Sequence, residues 1–467
     1  MREHHPIVFA VVAAALWLAV PLAAQHQHDP PPPPEEQAEP RPAQPAPAEP
    51  APPAEEHGEH AAAEAGGDAH AHAIPAFYGP YPMTRESSGT AWQPESAPHP
   101  GHHFRRGDWD LMLHGQAALI YDEQDGPRGD SDLFSANMLM LMGNRPAGRG
   151  RAGFRAMLSA EPWTIGDEGY PLLLQTGETA DGRTPLVDRQ HPHDLFMELA
   201  GTYTLPLDGD SSVFVYLALP GEPALGPPAF MHRFSGWENP EAPLAHHWLD
   251  STHITYGVAT LGWVRDGWKL EGSLFTGREP DERREDLEGP KMDSWSLRAS
   301  WQPAPDWSFQ VSHGRLESPE QLEPDVDTAR TTASAIYNRR LAGGTWQTTF
   351  AWGRNAKDPG ETTDALLLES ALGRGRHTVF ARAERLENDE LFGHGHEDGN
   401  GHGEDHLEGR IFTVGKLTLG GLDDFWTRGA LRAGAGALVS VALLPRELGE
   451  TYGDTPLSWM VFARLRL

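Results

Sequence analysis

Residues 188–194 read DRQHPHD, two imidazoles two places apart with an aspartate beside them. In an extended chain alternate side chains share a face. The spacing therefore aims His191 and His193 at one ion, with Asp194 adjacent. A second set lies in AFMHR and PLAHHWLDSTH: Met231, His232, His246, His247, Asp250 and His253. Imidazoles joined by one thioether and by carboxylates suit copper or zinc. The two sets are the candidate metal ligands, and copper or zinc is the candidate cofactor. Histidine and aspartate also cap turns in polar loops, which is a purely structural use of the same residues.

Two more stretches carry reactive side chains. FGHGHEDGNGHGEDH places His394, His396, His402 and His406 among Glu397, Asp398, Glu404 and Asp405. So glycine-rich a loop collects divalent ions weakly, because ordering it costs entropy. It lacks the spacing of a calcium loop, and a solvated surface loop is its plainer reading. LDSTH offers Ser251 and His253 as a hydrolytic pair at a rim. No separate acid or oxyanion element accompanies them, and no G-x-S-x-G is present, so the chain is read as not an enzyme.

What positions these residues follows from the chain around them. Arg2, His4 and His5 precede a 14-residue apolar run, Ile7 to Val20, and then PLAAQ. That order reads as a secretory signal over 1–24, too short for a spanning helix. Residues 25–75 are rich in proline, alanine, glutamate and histidine and read as a disordered arm, since they cannot bury enough apolar surface to offset ordering. Residues 76–109 form an approach segment. With no cysteine, disulfides and thiolate metal sites are excluded. A formal charge of −30 excludes nucleic acid as a partner.

From 110 to 467 the residues alternate. In DSWSLRASWQPAPDWSFQVSHGR, residues 293–315, Trp295, Leu297, Ala299 and Trp301 take every second place, and Trp307, Phe309 and Val311 resume after a PAPD turn. A period of two means strands. Sixteen are predicted, at 110–121, 132–143, 152–160, 195–205, 212–219, 253–265, 268–276, 293–303, 307–315, 329–341, 345–354, 364–373, 376–385, 409–420, 428–443 and 457–467. Tight turns alternate with longer loops, among them 161–194 and 220–252. No helices are evident to cover the apolar faces of a soluble sheet. The expected fold is all-β: an antiparallel up-and-down transmembrane barrel, apolar side to lipid, tryptophans at the interfaces and polar side to the lumen.

The lumen-facing set is Arg155, Glu271, Arg298, Arg330, Arg340, Glu369, Arg382, Glu384, Arg432, Arg464 and Arg466. Opposed charges there make a filter across an open pore, or satisfy one another inside a plugged barrel. The two long loops are expected to fold inward. The residues before 110 are too few and too proline-rich for the plug of a 22-stranded transporter. The expectation is passage of small solutes or ions through a barrel narrowed by loops. The alternative is a non-conducting barrel that binds copper or zinc.

Over 110–467 the chain resembles Gram-negative outer-membrane β-barrels of the porin-like type. It ends in WMVFARLRL, an alternating strand with Leu467 where that type carries phenylalanine. The resemblance implies an outer-membrane location, a periplasmic arm, extracellular long loops, and lipid and the barrel assembly machinery as partners. GTAWQPESAPHPG and PEAPLAHHWLDSTHITYG also look like a poorly characterised bacterial outer-membrane family with metal-handling surroundings.

Overall fold

The alternating stretch at 294–316 forms two antiparallel strands, with Trp301 opposite Phe309 and Ala304 opposite Trp307. The register slips between Trp301 and Ala304, where Pro303 has no N–H to give a ladder. Leu297 is 60% exposed on the outer face while its neighbours Ser296 and Arg298 are 1% and 2% exposed inside. The same dyad runs around the whole molecule.

The computed structural model describes residues 75–392 and 407–467. Its strands are β1 His102–Arg106, β2 Trp109–Glu123, β3 Ser131–Ala147, β4 Gly150–Leu158, β5 Tyr170–Thr179, β6 Pro185–Gln190, β7 Phe196–Pro206, β8 Ser211–Gly221, β9 Thr255–Arg265 and β10 Trp268–Phe275. They continue as β11 Ser294–Ala304, β12 Trp307–Leu316, β13 Asp327–Leu341, β14 Gly344–Asp358, β15 Thr362–Arg374, β16 His377–Asn388, β17 Phe412–Arg428, β18 Leu431–Leu443 and β19 Leu457–Arg466. All but β1, β5 and β6 form a closed antiparallel barrel of sixteen strands, each paired with its neighbour in this order. Closure runs from Trp459↔Glu123 to Arg466↔Gln116, between β19 and β2. These sixteen overlap the predicted strands one for one, though β17 runs on to Arg428 through GLDDFWTR, which reads as a turn in the sequence. The signal, the arm and the 393–406 histidine loop (His394 to His406) lie outside the described residues.

Three strands were not anticipated. β1 is short, polar and exposed, and it pairs with the part of β2 below the point where Leu467 bonds Gly115 (2.9 Å). β5 and β6 make a hairpin inside the 161–194 loop. β5 is buried on both faces, so its sequence has no alternation to read. Leu174, Glu178 and Asp188 take positive φ there, and the register slips twice.

The outer surface is a belt of leucine and valine bounded by aromatic rims. At the tight-turn end the rings of Trp268, Trp301, Phe309, Trp307, Tyr337 and Trp346 follow one another at 4.7–5.6 Å. At the long-loop end Tyr121 meets Trp459 (5.4 Å) and Trp295 meets His313 (5.8 Å).

The lumen is filled. Besides the two expected loops, residues 75–101 pack into the tight-turn end, a plug-like element that the reading of this segment as a mere approach had not foreseen. Its proline-rich chain satisfies its backbone on the wall: Ser212 donates to Tyr78 O (2.7 Å), Arg298 to Thr90 Oγ1 (2.9 Å), Lys269 to Thr90 O, and Ser96 N to Pro305 O (2.9 Å). The Glu86 carboxylate accepts the N–H groups of Phe77 and Tyr78 (2.9 Å each) and closes the segment on itself.

Candidate metal-binding lumen

The inward charges of the wall hold the loops. Arg233, fully buried in the loop after β8, binds Asp250, Glu369 (2.8 Å) and Pro228 O (2.9 Å). Glu369 also meets Arg382 (3.4 Å), whose Nη1 donates to Glu241 O (2.7 Å). Glu241 takes Lys416, Thr418 and Ser440. Glu384 accepts Ala245 N (3.0 Å), and Glu238 and Asp424 take Arg464 and Arg466. Arg155 pairs with Glu198 (2.9 Å), Glu271 with Arg298 (3.0 Å) and Lys269 (3.3 Å), and Arg330 bonds Ser251 (2.8 Å) and Asn355 (2.9 Å). Arg432 and Arg340 are exposed at the tight-turn rim. The predicted pore lining thus grips the folded segments. Among the described residues, small cavities lie between the packed segments, of about 60 Å³ beside His193 and Met231 and about 40 Å³ beside His114, room for a few waters each.

Within this packing the predicted histidines meet. Ring centroids step from His247 to His191 (6.0 Å), from His247 to His246 (5.3 Å), on to His253 (5.1 Å) and from there to His193 (5.3 Å). Phe230 lies against His246, His193 and His253 (5.2–6.0 Å), an apolar ring among the imidazoles. They form a row rather than one ligand shell. The expected His191/His193 chelate does not form, because 191–194 is irregular rather than a regular strand. His193 Nδ1 meets Glu161 Oε2 (2.7 Å) instead, and His191 Nε2 faces Glu178 Oε1 (3.2 Å). Asp194 turns to Arg284 (3.6 Å), and Asp250 to Arg233 and His246 (2.7 Å). Met231 is buried beside the row, and His232 turns away toward His114 (5.8 Å). Beyond it lie His99 and His103, 5.5 Å apart.

Burial holds His191 and His253 well below the usual imidazole range, and His246 falls to about 3 despite its bond to Asp250. Burial also pulls His193 down, but Glu161 outweighs it and leaves that ring raised. A neutral imidazole is the ligating form. The Nε2 atoms of His193, His247 and His253 are buried with no hydrogen-bond partner.

Among the described residues, one set of three acid or histidine side chains converges: His247, Glu279 and Glu320, with ligand atoms within 4.8 Å of one another. The carboxylate oxygens of Glu279 have no hydrogen-bond partner. Burial raises Glu279, and burial with neighbouring Glu279 and Glu390 raises Glu320 well above the usual range. Crowded carboxylates beside a free imidazole nitrogen suit a borderline divalent ion. Sequence reasoning missed both glutamates, which arrive from the β10–β11 and β12–β13 loops. It also missed an inward methionine stripe: in NMLMLMG, Met138, Met140 and Met142 point inward while Leu139 and Leu141 point outward. The Ser251/His253 pair is not assembled. Ser251 accepts from Arg330, and His253 Nδ1 donates to Asp250 O (2.8 Å).

No family model and no curated relative matches the chain, so the resemblance of two segments to a metal-handling family finds no support. Solved structures share the barrel. Salmonella typhi OmpF, in complex with daunomycin, has a TM-score of 0.45 at 9% identity, covering 78% of this chain and 100% of that one. OmpT, an outer membrane protein of Vibrio cholerae, gives 0.44 at 8% identity over 78% and 100%. The anion-selective porin from Comamonas acidovorans gives 0.42 at 12% over 77% and 100%. At such values the likeness carries no residue role and no solute to this chain.

Proposed function

We propose that this chain is an outer-membrane barrel that passes small ions, metal ions among them, along its buried histidine row rather than through an open pore. The single observation behind the reading is the filled lumen: loops and the 75–101 segment occupy it, with a row of five imidazoles and a separate His114–His232 pair inside. The apolar belt with aromatic rims supports placement in a bilayer. The arm is then periplasmic, the long loops are extracellular, and insertion rests on lipid and the assembly machinery.

The test is reconstitution of the full mature protein in liposomes. Ion flux with little or no swelling in sugars of a few hundred daltons is expected. Sugar permeation at the rate of an open porin would overturn it. A second reading, a barrel that binds copper or zinc without conducting, is favoured by the convergence of His247, Glu279 and Glu320. It predicts metal binding with no flux, and the same liposomes separate the two.

A further inference from the structure

The cavity of about 40 Å³ at the tight-turn half of the lumen is lined by Met112, Met140, Met142, His99, His114 and His232, with Arg155 and Glu86 at its edge. The three methionines are buried, and His114 is 5% exposed. His114 Nε2 lies 3.1 Å from Met140 Sδ, and its Nδ1 has no hydrogen-bond partner. The Nε2 of His232 and the Nδ1 of His99 are likewise buried without a partner. Unpartnered nitrogens in a buried site are costly unless something binds them.

The electrostatics narrow the choice of ligand. Glu86 is the one carboxylate on this wall, and it is already taken by two backbone N–H groups. Arg155 adds a positive charge that Glu198 balances. The wall therefore offers no free anion. A hard divalent ion would bring two uncompensated charges into a dry site. A soft monovalent ion needs less charge balance, and it bonds strongly to thioether sulfur and neutral imidazole.

We infer that this methionine–histidine chamber is a binding site for a soft monovalent metal ion of the Cu⁺ or Ag⁺ class, with the imidazoles of His114 and His232 and the thioethers of Met112, Met140 and Met142 as donors. It is separate from the carboxylate site at His247. The inference rests on the reading of the histidine row as an ion route, and it names the class of ion that the inner half retains.

The experiment uses the full mature protein in detergent, labelled with ¹³C at its methionine methyls, and Ag⁺ as the probe. The first equivalents are expected to shift the methyl resonances of Met112, Met140 and Met142, assigned by single Met→Leu replacements. The triple Met112→Leu/Met140→Leu/Met142→Leu variant is close in volume and keeps the fold. It is expected to lose at least tenfold in Ag⁺ affinity by competition titration, with Zn²⁺ binding unchanged. Unmoved methyls at these positions in excess Ag⁺, or a triple variant that binds Ag⁺ like the parent, would overturn the site. Liposome flux is measured apart from this: methyl shifts without flux sink the passage reading and leave the chamber standing, and flux without shifts does the reverse.

Discussion

The two faces of one barrel wall are built from the same strands under opposite rules. Outside, between the aromatic rims where ring packs on ring, side chains face their surroundings, so a mid-belt position such as Val311 tolerates any apolar residue of moderate size. Inside, wall side chains such as Glu384, Arg382, Arg298 and Ser212 are committed to partners from a loop or from the 75–101 segment. Val311 outside is 58% exposed, while Arg233 inside is among the largest fully buried side chains. The outer face sets where the barrel can reside. The inner face sets how the lumen is filled.

That contrast breaks first at Arg233. It is the joint between the 222–254 loop and the wall, holding Asp250 and Glu369 together. Arg233→Met leaves two buried carboxylates without their shared cation. A loss of about 3–5 kcal/mol is expected, because removing one partner of a buried pair strands the other. Urea or thermal unfolding in detergent reads the stability, and planar-bilayer recording is expected to show larger conductance steps as the loop loosens. Neutralising both carboxylates in the same background, with Asp250→Asn and Glu369→Gln, is expected to restore most of the stability. A single variant as stable and as closed as the parent would show that the loop is held some other way.

The outer face is tested at Val311, mid-strand in β12. Val311→Arg is expected to cost about 2–4 kcal/mol in a bilayer, the penalty for a cation near the midplane. Refolding into lipid vesicles reads that cost. In contrast Ser251→Ala and other inward polar replacements leave membrane partitioning untouched. A Val311→Arg protein that refolds as readily as the parent would mean that the belt does not face hydrocarbon.

The barrel was legible because lipid and lumen impose opposite polarity on alternate residues, as at Ser294–Trp301. Where both phases are apolar the signal vanishes. Met138, Met140 and Met142 alternate with Leu139 and Leu141, and nothing in NMLMLMG says which phase turns inward. The β5–β6 hairpin failed for the same reason, being buried on both sides. The loop histidines were legible as ligand types, and their gathering came from the two loops expected to share the lumen. Their actual partners were not legible: Glu161 and Glu178 share the 161–194 loop with His191 and His193 at no regular spacing, Glu279 and Glu320 come from other loops, and only folding brings them within reach.

The carboxylate site carries a pH signature set by its two glutamates. Burial raises Glu279 and Glu320 above the ordinary carboxyl range. A carboxyl raised in the folded state favours folding at low pH, so the metal-free protein is expected to lose stability as pH rises through that raised range. Zn²⁺ at His247, Glu279 and Glu320 reverses the trend, since ligands bind deprotonated. Below the raised range Zn²⁺ affinity is expected to fall about tenfold per pH unit for each proton displaced. Glu279→Gln with Glu320→Gln flattens the metal-free stability profile and removes the Zn²⁺ effect. Calorimetric Zn²⁺ titrations across pH check this, and a pH-independent affinity would place the ion elsewhere.

The smallest expected effect tests a pairing that sequence proximity suggested and geometry separates. Ser251 and His253 sit two places apart, yet the serine hydroxyl accepts from Arg330 and the histidine donates to a backbone carbonyl. A nucleophile needs its base to take its proton, and here Ser251 is held by Arg330 while His253 Nδ1 is held by Asp250 O, with no hydrogen bond between the two. Ser251→Ala is therefore expected to cost only about 1 kcal/mol, the loss of one hydrogen bond, with Arg330 still held by Asn355. No ester or peptide hydrolysis should be present to lose. An activity against lipid or peptide substrates that vanished in Ser251→Ala would put chemistry on the inner face and overturn this separation.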